Sequence, residues 1–204
     1  MTGPTDPDQQ ARRFAVRLEY ATIAWNTVEV FATIGLGIAA HSLALIAFGM
    51  DSIVEIFASS VVLWHLRGLQ APRQTQRALK LVATAFFVLA ALLLAGGVRN
   101  LLREQHPDDA PFGVAYLAVT ACVMWGLAIA KRAVSVKIGN HPLVHEARVT
   151  FLDGMLAAGI LVALAANIVF GWWWADSTAA IVVGFAAIAE GIEAPKQHPP
   201  VRGA

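Results

Sequence analysis

The sequence predicts an all-α integral membrane protein with six transmembrane helices. Of the 204 residues, 57% are hydrophobic and only 14% are charged, and the mean hydropathy is +0.61. Such a composition is typical of a chain that crosses a bilayer several times rather than of a soluble domain. A spanning helix needs about 20 predominantly apolar residues. Six stretches come close to that length: Ala21–Ala40, Leu43–Leu66, Leu81–Val98, Gly113–Ala130, Val149–Phe170 and Asp176–Ala194.

These spans define the expected domain organisation. Residues 1–18 are predicted to be a polar cytoplasmic N-terminal tail, residues 19–194 the six-helix domain, and residues 195–204 a cytoplasmic C-terminal tail. The first of these lacks the apolar run and small-residue cleavage site of a signal peptide. Only Ala40, His41 and Ser42 join spans one and two, so these spans should form a tight antiparallel hairpin.

The basic residues predict the orientation of the chain. If the spans alternate in direction, only Arg99 and Arg103 fall on one side of the membrane. Cytoplasmic loops carry an excess of Lys and Arg, so the opposite side is predicted to be cytoplasmic, with both termini there. Thirteen basic residues share that side: Arg12, Arg13, Arg17, Arg67, Arg73, Arg77, Lys80, Lys131, Arg132, Lys137, Arg148, Lys196 and Arg202.

The outer loop before span six has two features of its own. Trp172, Trp173 and Trp174 form a run that is typical of an aromatic anchor at the membrane surface. Asp176 follows in the segment ADSTAAI, where we expect it to act as the N-cap of the sixth helix.

Two carboxylates in the second span are the strongest functional signal. Asp51 and Glu55 lie four residues apart within an otherwise apolar segment, so both side chains project from one helical face. Placing an Asp at a helix centre costs roughly 2.5–3.5 kcal/mol on insertion scales, so such residues usually line a polar interior. Two hard oxygen ligands on one face suit a divalent cation. The alternative is a protonated pair that is hydrogen-bonded to a neighbouring helix.

Other acids lie within the predicted spans. Asn26 and Glu29 share a face of span one, where ion contact and interhelical hydrogen bonding are both open. Asp153 lies near the start of span five. Glu29, Asp51, Glu55 and Asp153 are thus four acids that we expect to be buried, and no Lys or Arg lies within any predicted span. Such acids must share protons or bind a cation. Because a metal displaces the protons of its carboxylate ligands, the pattern favours proton–metal exchange.

The second span carries a family resemblance. The stretch His41–Ala47 (HSLALIA), followed by Asp51–Glu55 (DSIVE), resembles the second helix of the cation diffusion facilitators, the cation efflux family. That resemblance implies a six-helix bundle with both termini inside, which exports Zn²⁺ or related divalent metals from the cytoplasm in exchange for protons. It also implies a homodimer that rocks between inward and outward states. Asp51 and Glu55 would be the second-helix ligands, and Asp153 the fifth-helix acid.

Two departures from the family pattern affect the expected site. Family members usually have a histidine four residues before the fifth-helix acid, but Val149 occupies that position. The remaining ligand is then Glu29, Thr150 or water, while Glu146 is expected to lie too near the cytoplasmic surface. An oxygen-rich site admits manganese or iron besides zinc. Cobalt and cadmium are further possible substrates. A soluble metal-binding domain often follows the sixth span in the family, whereas only the predicted tail follows it here, so we expect the membrane helices to hold any dimer.

The leading interpretation is therefore a secondary transporter of divalent cations in the inner or plasma membrane. The alternative is a non-transporting scaffold or partner subunit with the same fold and a degenerate metal site. An enzyme finds little support, because no nucleophile–base pair is evident in the sequence. A haem protein finds little support either, because all six histidines fall at or beyond the ends of the predicted spans. No prosthetic group is expected. A net charge of +1 offers no basis for nucleic-acid binding.

The predicted orientation can be tested by labelling single cysteines, in a Cys122→Ala background that removes the only native cysteine. A membrane-impermeant thiol reagent added outside intact cells should label Asp109→Cys and leave Gln74→Cys and Asn140→Cys unmodified. Inverted vesicles should show the opposite pattern. Labelling of the Gln74 or Asn140 variants from outside would overturn the charge argument, and with it the inference of export.

Overall fold

A computed structural model describes residues 7–66, 72–139 and 141–193 of the protein, and this part of the chain is helical apart from short turns. Each of its six helices is long and apolar enough to cross a membrane. The predicted fold class is confirmed. The predicted C-terminal tail and residues 1–6 lie outside the described residues. The helices are α1 (Pro7–Ala39), α2 (Leu43–Leu66), α3 (Pro72–Leu102), α4 (Pro111–Ile138), α5 (His141–Phe170) and α6 (Trp174–Glu193).

Several helices are longer than the predicted spans. α1 begins at Pro7 instead of Ala21, and α4 continues to Ile138 instead of ending at Ala130. Hydropathy marks only the apolar part of a helix, whereas Arg, Lys and Gln extend a helix at little cost. α4 ends where Gly139 adopts a left-handed conformation with φ of 60°, the usual C-terminal stop signal.

The N-terminal part of α1 has its own packing partners. Ala15 and Leu18 are buried against Val134 of α4 and Leu143 of α5, in a small apolar cluster separate from the main core. Residues 7–18, which the sequence predicted to be a polar tail, are therefore a helical extension that is packed against two other helices.

The bundle is built from three close helix pairs, α1 with α2, α3 with α6, and α4 with α5. The α1–α2 pair is the predicted hairpin, and its turn consists of residues 40–42. Glycines allow the close approach within each pair. A methyl group at Gly97 would lie 2.6 Å from Ile181 of α6, and one at Gly154 would lie 2.6 Å from the Trp125 ring of α4.

Asp176 joins α6 to the start of α2. It lies in the first turn of α6 and is 1% exposed. Its carboxylate accepts hydrogen bonds from the Ser42 hydroxyl and from the amide groups of Leu43, at 2.9 Å, and Ala44, at 3.4 Å. The prediction that Asp176 caps its own helix was wrong. The first amides of any helix lack partners within that helix, and here an acid from another helix satisfies those of α2.

Two glycine substitutions on α5 should separate packing from helix propensity. Gly154→Ala should lower the free energy of unfolding by about 1–3 kcal/mol, because the new methyl group collides with Trp125. Gly159→Ala is the matched control, since nothing lies within 4 Å of its added methyl group. It should be neutral or stabilising by up to about 1 kcal/mol. Thermal unfolding in detergent measures both, and equal effects would contradict the close α4–α5 contact.

Candidate metal centre

Four acids line one cavity, which we call the acidic cavity. It has a volume of about 210 Å³ and lies where α2 and α5 face the α3–α6 pair. At roughly 30 Å³ per liquid water, it has room for several water molecules. Asp51, Glu55, Asp153 and Glu190 line it together with apolar residues, and its described lining includes no basic side chain.

The two acids of α2 lie as the sequence predicted. Asp51 and Glu55 occupy the same face of α2 and both line the acidic cavity. Asp51 is 6% exposed and Glu55 is 3% exposed, so each carboxylate is almost removed from solvent. Glu55 has one fixed partner, because the Asn26 side-chain amide of α1 donates a 2.8 Å hydrogen bond to its Oε2. Asn26 therefore orients Glu55 rather than lining the cavity itself.

Asp153 is the least satisfied acid in the described part of the bundle. It is 2% exposed, and both of its carboxylate oxygens are buried without a hydrogen-bond partner. A buried carboxylate in that state is costly unless a proton or a cation neutralises it. Asp153 lines the acidic cavity, so a cation held there would lie within its reach.

Glu29 has a different environment from the one expected of a ligand. Its carboxylate accepts a 2.6 Å hydrogen bond from Ser52 of α2 and a 3.0 Å hydrogen bond from the Trp25 indole. It does not line the acidic cavity. For span one the sequence left ion contact and interhelical hydrogen bonding open. The structure has the interhelical hydrogen bonding.

A second polar group of side chains, which we call the lysine cluster, comprises Glu19, Ser59, Lys131, Glu146 and Thr150. Lys131 is completely buried, and its ammonium nitrogen lies 3.2 Å from both Glu146 Oε1 and Thr150 Oγ1.

This cluster corrects three sequence predictions. The inference that the bundle has no internal cation was wrong. Lys131 lies one residue beyond the predicted fourth span but inside the extended α4. Glu146 was expected near the surface, yet it is only 4% exposed. Thr150 belongs to this cluster and not to the acidic cavity.

Sequence reasoning missed Glu190 as a cavity residue. Glu190 was not among the predicted ligands, yet it lines the acidic cavity from α6. Helical spacing offered a usable signal, because Val183, Ala187 and Glu190 succeed one another at intervals of four and three residues and so share one face of α6. Val183 and Ala187 on that face are buried.

Val149 also faces the acidic cavity. This side chain is 8% exposed and lines the acidic cavity one helical turn before Asp153. A side chain at this position thus faces the same space as the three predicted acids. Among the described residues, however, no group of three or more His, Cys, Asp or Glu side chains is arranged to hold a metal ion directly.

A larger cavity, of about 300 Å³, lies between α5 and α6 beside Trp172 and Trp174. Its described lining contains no acidic, basic or histidine side chain. It therefore offers a cation no charged ligand, and the acidic cavity is the candidate centre.

Comparisons with known proteins agree with this architecture. Residues 80–196 match the cation efflux transmembrane domain, a range that includes Asp153 and Glu190 but not the acids of α2. The chain is 20% identical over 193 residues to transmembrane protein 163 of Xenopus laevis, which covers 91% of this chain and 67% of that protein. It is 27% identical over 170 residues to an uncharacterized transporter of Synechocystis sp., which covers 76% of this chain and 54% of that protein.

The chain thus spans about two thirds of one relative and about half of the other. More than half of this chain lies within the matched domain, and the six apolar helices in its described part make it a multi-pass membrane protein. The protein belongs to the cation efflux family.

Proposed function

We propose that this protein is a secondary transporter that exports divalent metal cations from the cytoplasm across the inner or plasma membrane, in exchange for protons. Zinc is the first candidate, and manganese, iron, cobalt and cadmium are the others. Family membership supports cation transport in general. The observation that carries the proposal is Asp153, a buried carboxylate with two unpartnered oxygens in a cavity that three other acids line.

Asp51, Glu55 and Asp153 are the proposed ligands of the transported ion. Glu190 lines the same cavity from α6 and is more exposed than these three, so it would attract the ion at the entrance. An ion bound in the cavity would draw the acids of α2 and α5 together, because a carboxylate oxygen binds zinc at about 2.0–2.2 Å. Glu29 and Asn26 would support this site through their hydrogen bonds to α2.

The chemistry of the cavity accounts for the proposed proton exchange. Several carboxylates in a small, poorly solvated space cannot all be ionised unless a cation is present. Ligation requires deprotonated carboxylates, so a bound metal releases protons and its departure allows protons to return. Metal and protons therefore compete for the same oxygens, which is the requirement for antiport.

Orientation and assembly complete the proposal. The excess of basic residues in alternate loops favours cytoplasmic termini, and export is the direction that the family resemblance implies. A homodimer held by membrane helices is the proposed assembly. The oxygen-rich ligand set leaves the metal preference broad, because the family's imidazole ligand is replaced by Val149.

Removing either acid of α2 should abolish transport. Asp51→Ala and Glu55→Ala should reduce metal uptake into proteoliposomes with an imposed pH gradient to the level of protein-free liposomes, while Asp51→Asn keeps the side-chain volume and removes only the titratable charge. Glu104→Ala is the control, since it removes an exposed acid far from the cavity along the chain. Unchanged flux in either alanine variant would refute the ligand assignment. A wild-type protein that transports no ion of a divalent panel would favour the scaffold alternative.

A histidine at position 149 should shift the metal preference. The Val149 side chain lines the acidic cavity, so Val149→His places an imidazole beside Asp153, and imidazole favours zinc over manganese. The ratio of zinc to manganese flux should rise about tenfold, equivalent to about 1.4 kcal/mol in relative affinity.

Phe151→His is the matched control for that experiment. It introduces the same group on the same helix, but Phe151 is 47% exposed and does not line the cavity. Its metal preference should equal that of the wild type. A folded and active Val149→His protein with unchanged preference would mean that this face of α5 does not contact the transported ion.

A further inference from the structure

The lysine cluster has the geometry of an occupied coordination shell. A lysine ammonium has three N–H donors, and Lys131 has three oxygen-bearing neighbours to receive them. Glu146 and Thr150 lie at 3.2 Å, and the two oxygens of Glu19 lie at 3.4 and 3.5 Å. The ammonium group is therefore surrounded by oxygens from other helices.

These oxygens come from across the bundle. Glu19 lies on α1, and Glu146 and Thr150 lie on α5, while Lys131 enters from α4. Ser59 of α2 adds a 2.6 Å hydrogen bond to the same Glu146 oxygen that contacts the lysine. Four helices thus converge on one positive charge, and all five residues are at most 4% exposed.

The charges in this cluster are unequal. Two carboxylates surround a single ammonium group, and the contacts to Glu19 are long for charge-assisted hydrogen bonds. A simple buried ion pair needs one acid, and such a pair adds little stability compared with apolar packing. Carboxylate and hydroxyl oxygens from several helices are instead the ligands that hard cations take.

We propose that Lys131 is a tethered cation, whose ammonium group occupies a second cation-binding position formed by the oxygens of the lysine cluster. One consequence of this arrangement rests on the proposed function. The lysine keeps the transported ion out of the second position and confines it to the acidic cavity. The two places are close, because Glu146 and Asp153 are seven residues apart on α5, or about 10 Å along the helix. A mobile ion would otherwise encounter both.

The test counts bound ions. Lys131→Ala removes the ammonium group and leaves space beside two acids, so the variant should bind one more Mn²⁺ per chain than the wild type in detergent, measured by equilibrium dialysis. Lys131→Arg retains a tethered cation and should match the wild-type number. Lys131→Ala with Glu146→Gln removes an acid of the second position and should lose the additional ion.

Failure of this inference is distinguishable from failure of the proposed function. Lys131→Ala combined with Asp51→Asn should still bind one ion, at the lysine cluster. A wild type that binds neither Zn²⁺ nor Mn²⁺, beside a Lys131→Ala variant that binds one Mn²⁺, would refute the transport site and support the tethered cation. Equal numbers in the wild type and Lys131→Ala would overturn the tethered cation and leave the transport site standing.

Loss of folding would also be informative. If Lys131→Ala is unstable in detergent, Mn²⁺ or ethylammonium should restore a monodisperse protein and raise its melting temperature, because each supplies the missing positive charge. Ethanol, which is of similar size and uncharged, is the control and should have no such effect. Failure of both cations to stabilise the variant would overturn the proposal.

Discussion

The structure depends on one constraint: a charged or polar side chain inside a membrane bundle must find its compensation within the protein, because lipid offers none. Two groups of acids differ in whether they meet this requirement. In the lysine cluster, Lys131 supplies a positive charge to Glu19 and Glu146. In the acidic cavity the described lining contains no basic side chain, and Asp153 has no hydrogen-bond partner. The second group is therefore the one that needs a proton or an external cation.

The acids of the acidic cavity lie where the α3–α6 pair meets α2 and α5. The cavity lies between that pair and the helices α2 and α5, and Glu190 near the end of α6 forms part of its wall. At the opposite end of α6, Asp176 bonds to the first residues of α2. The α3–α6 pair is thus joined to α2 by buried hydrogen bonds at one end and faces it across an acid-lined space towards the other.

Local patterns accounted for most of the fold. Hydropathy identified the six helices, and the three-residue α1–α2 turn followed from the short gap between spans. The same measure failed at helix ends, since α1 and α4 continue through polar residues into the bundle. Lys131 was misassigned for this reason: a window that detects apolar residues stops at the first lysine, even where that lysine is fully buried.

The sequence by itself determined the number of spans and that Asp51 and Glu55 share one helical face, because both follow from the periodicity of a single helix. Only the tertiary structure decided which group compensates each polar side chain: Ser52 for Glu29, Asn26 for Glu55, and α2 for Asp176. The physical reason is that periodicity specifies a face of a helix but not the helix that packs against it. Partners more than twenty residues apart are chosen by packing of the whole bundle, which no local pattern records.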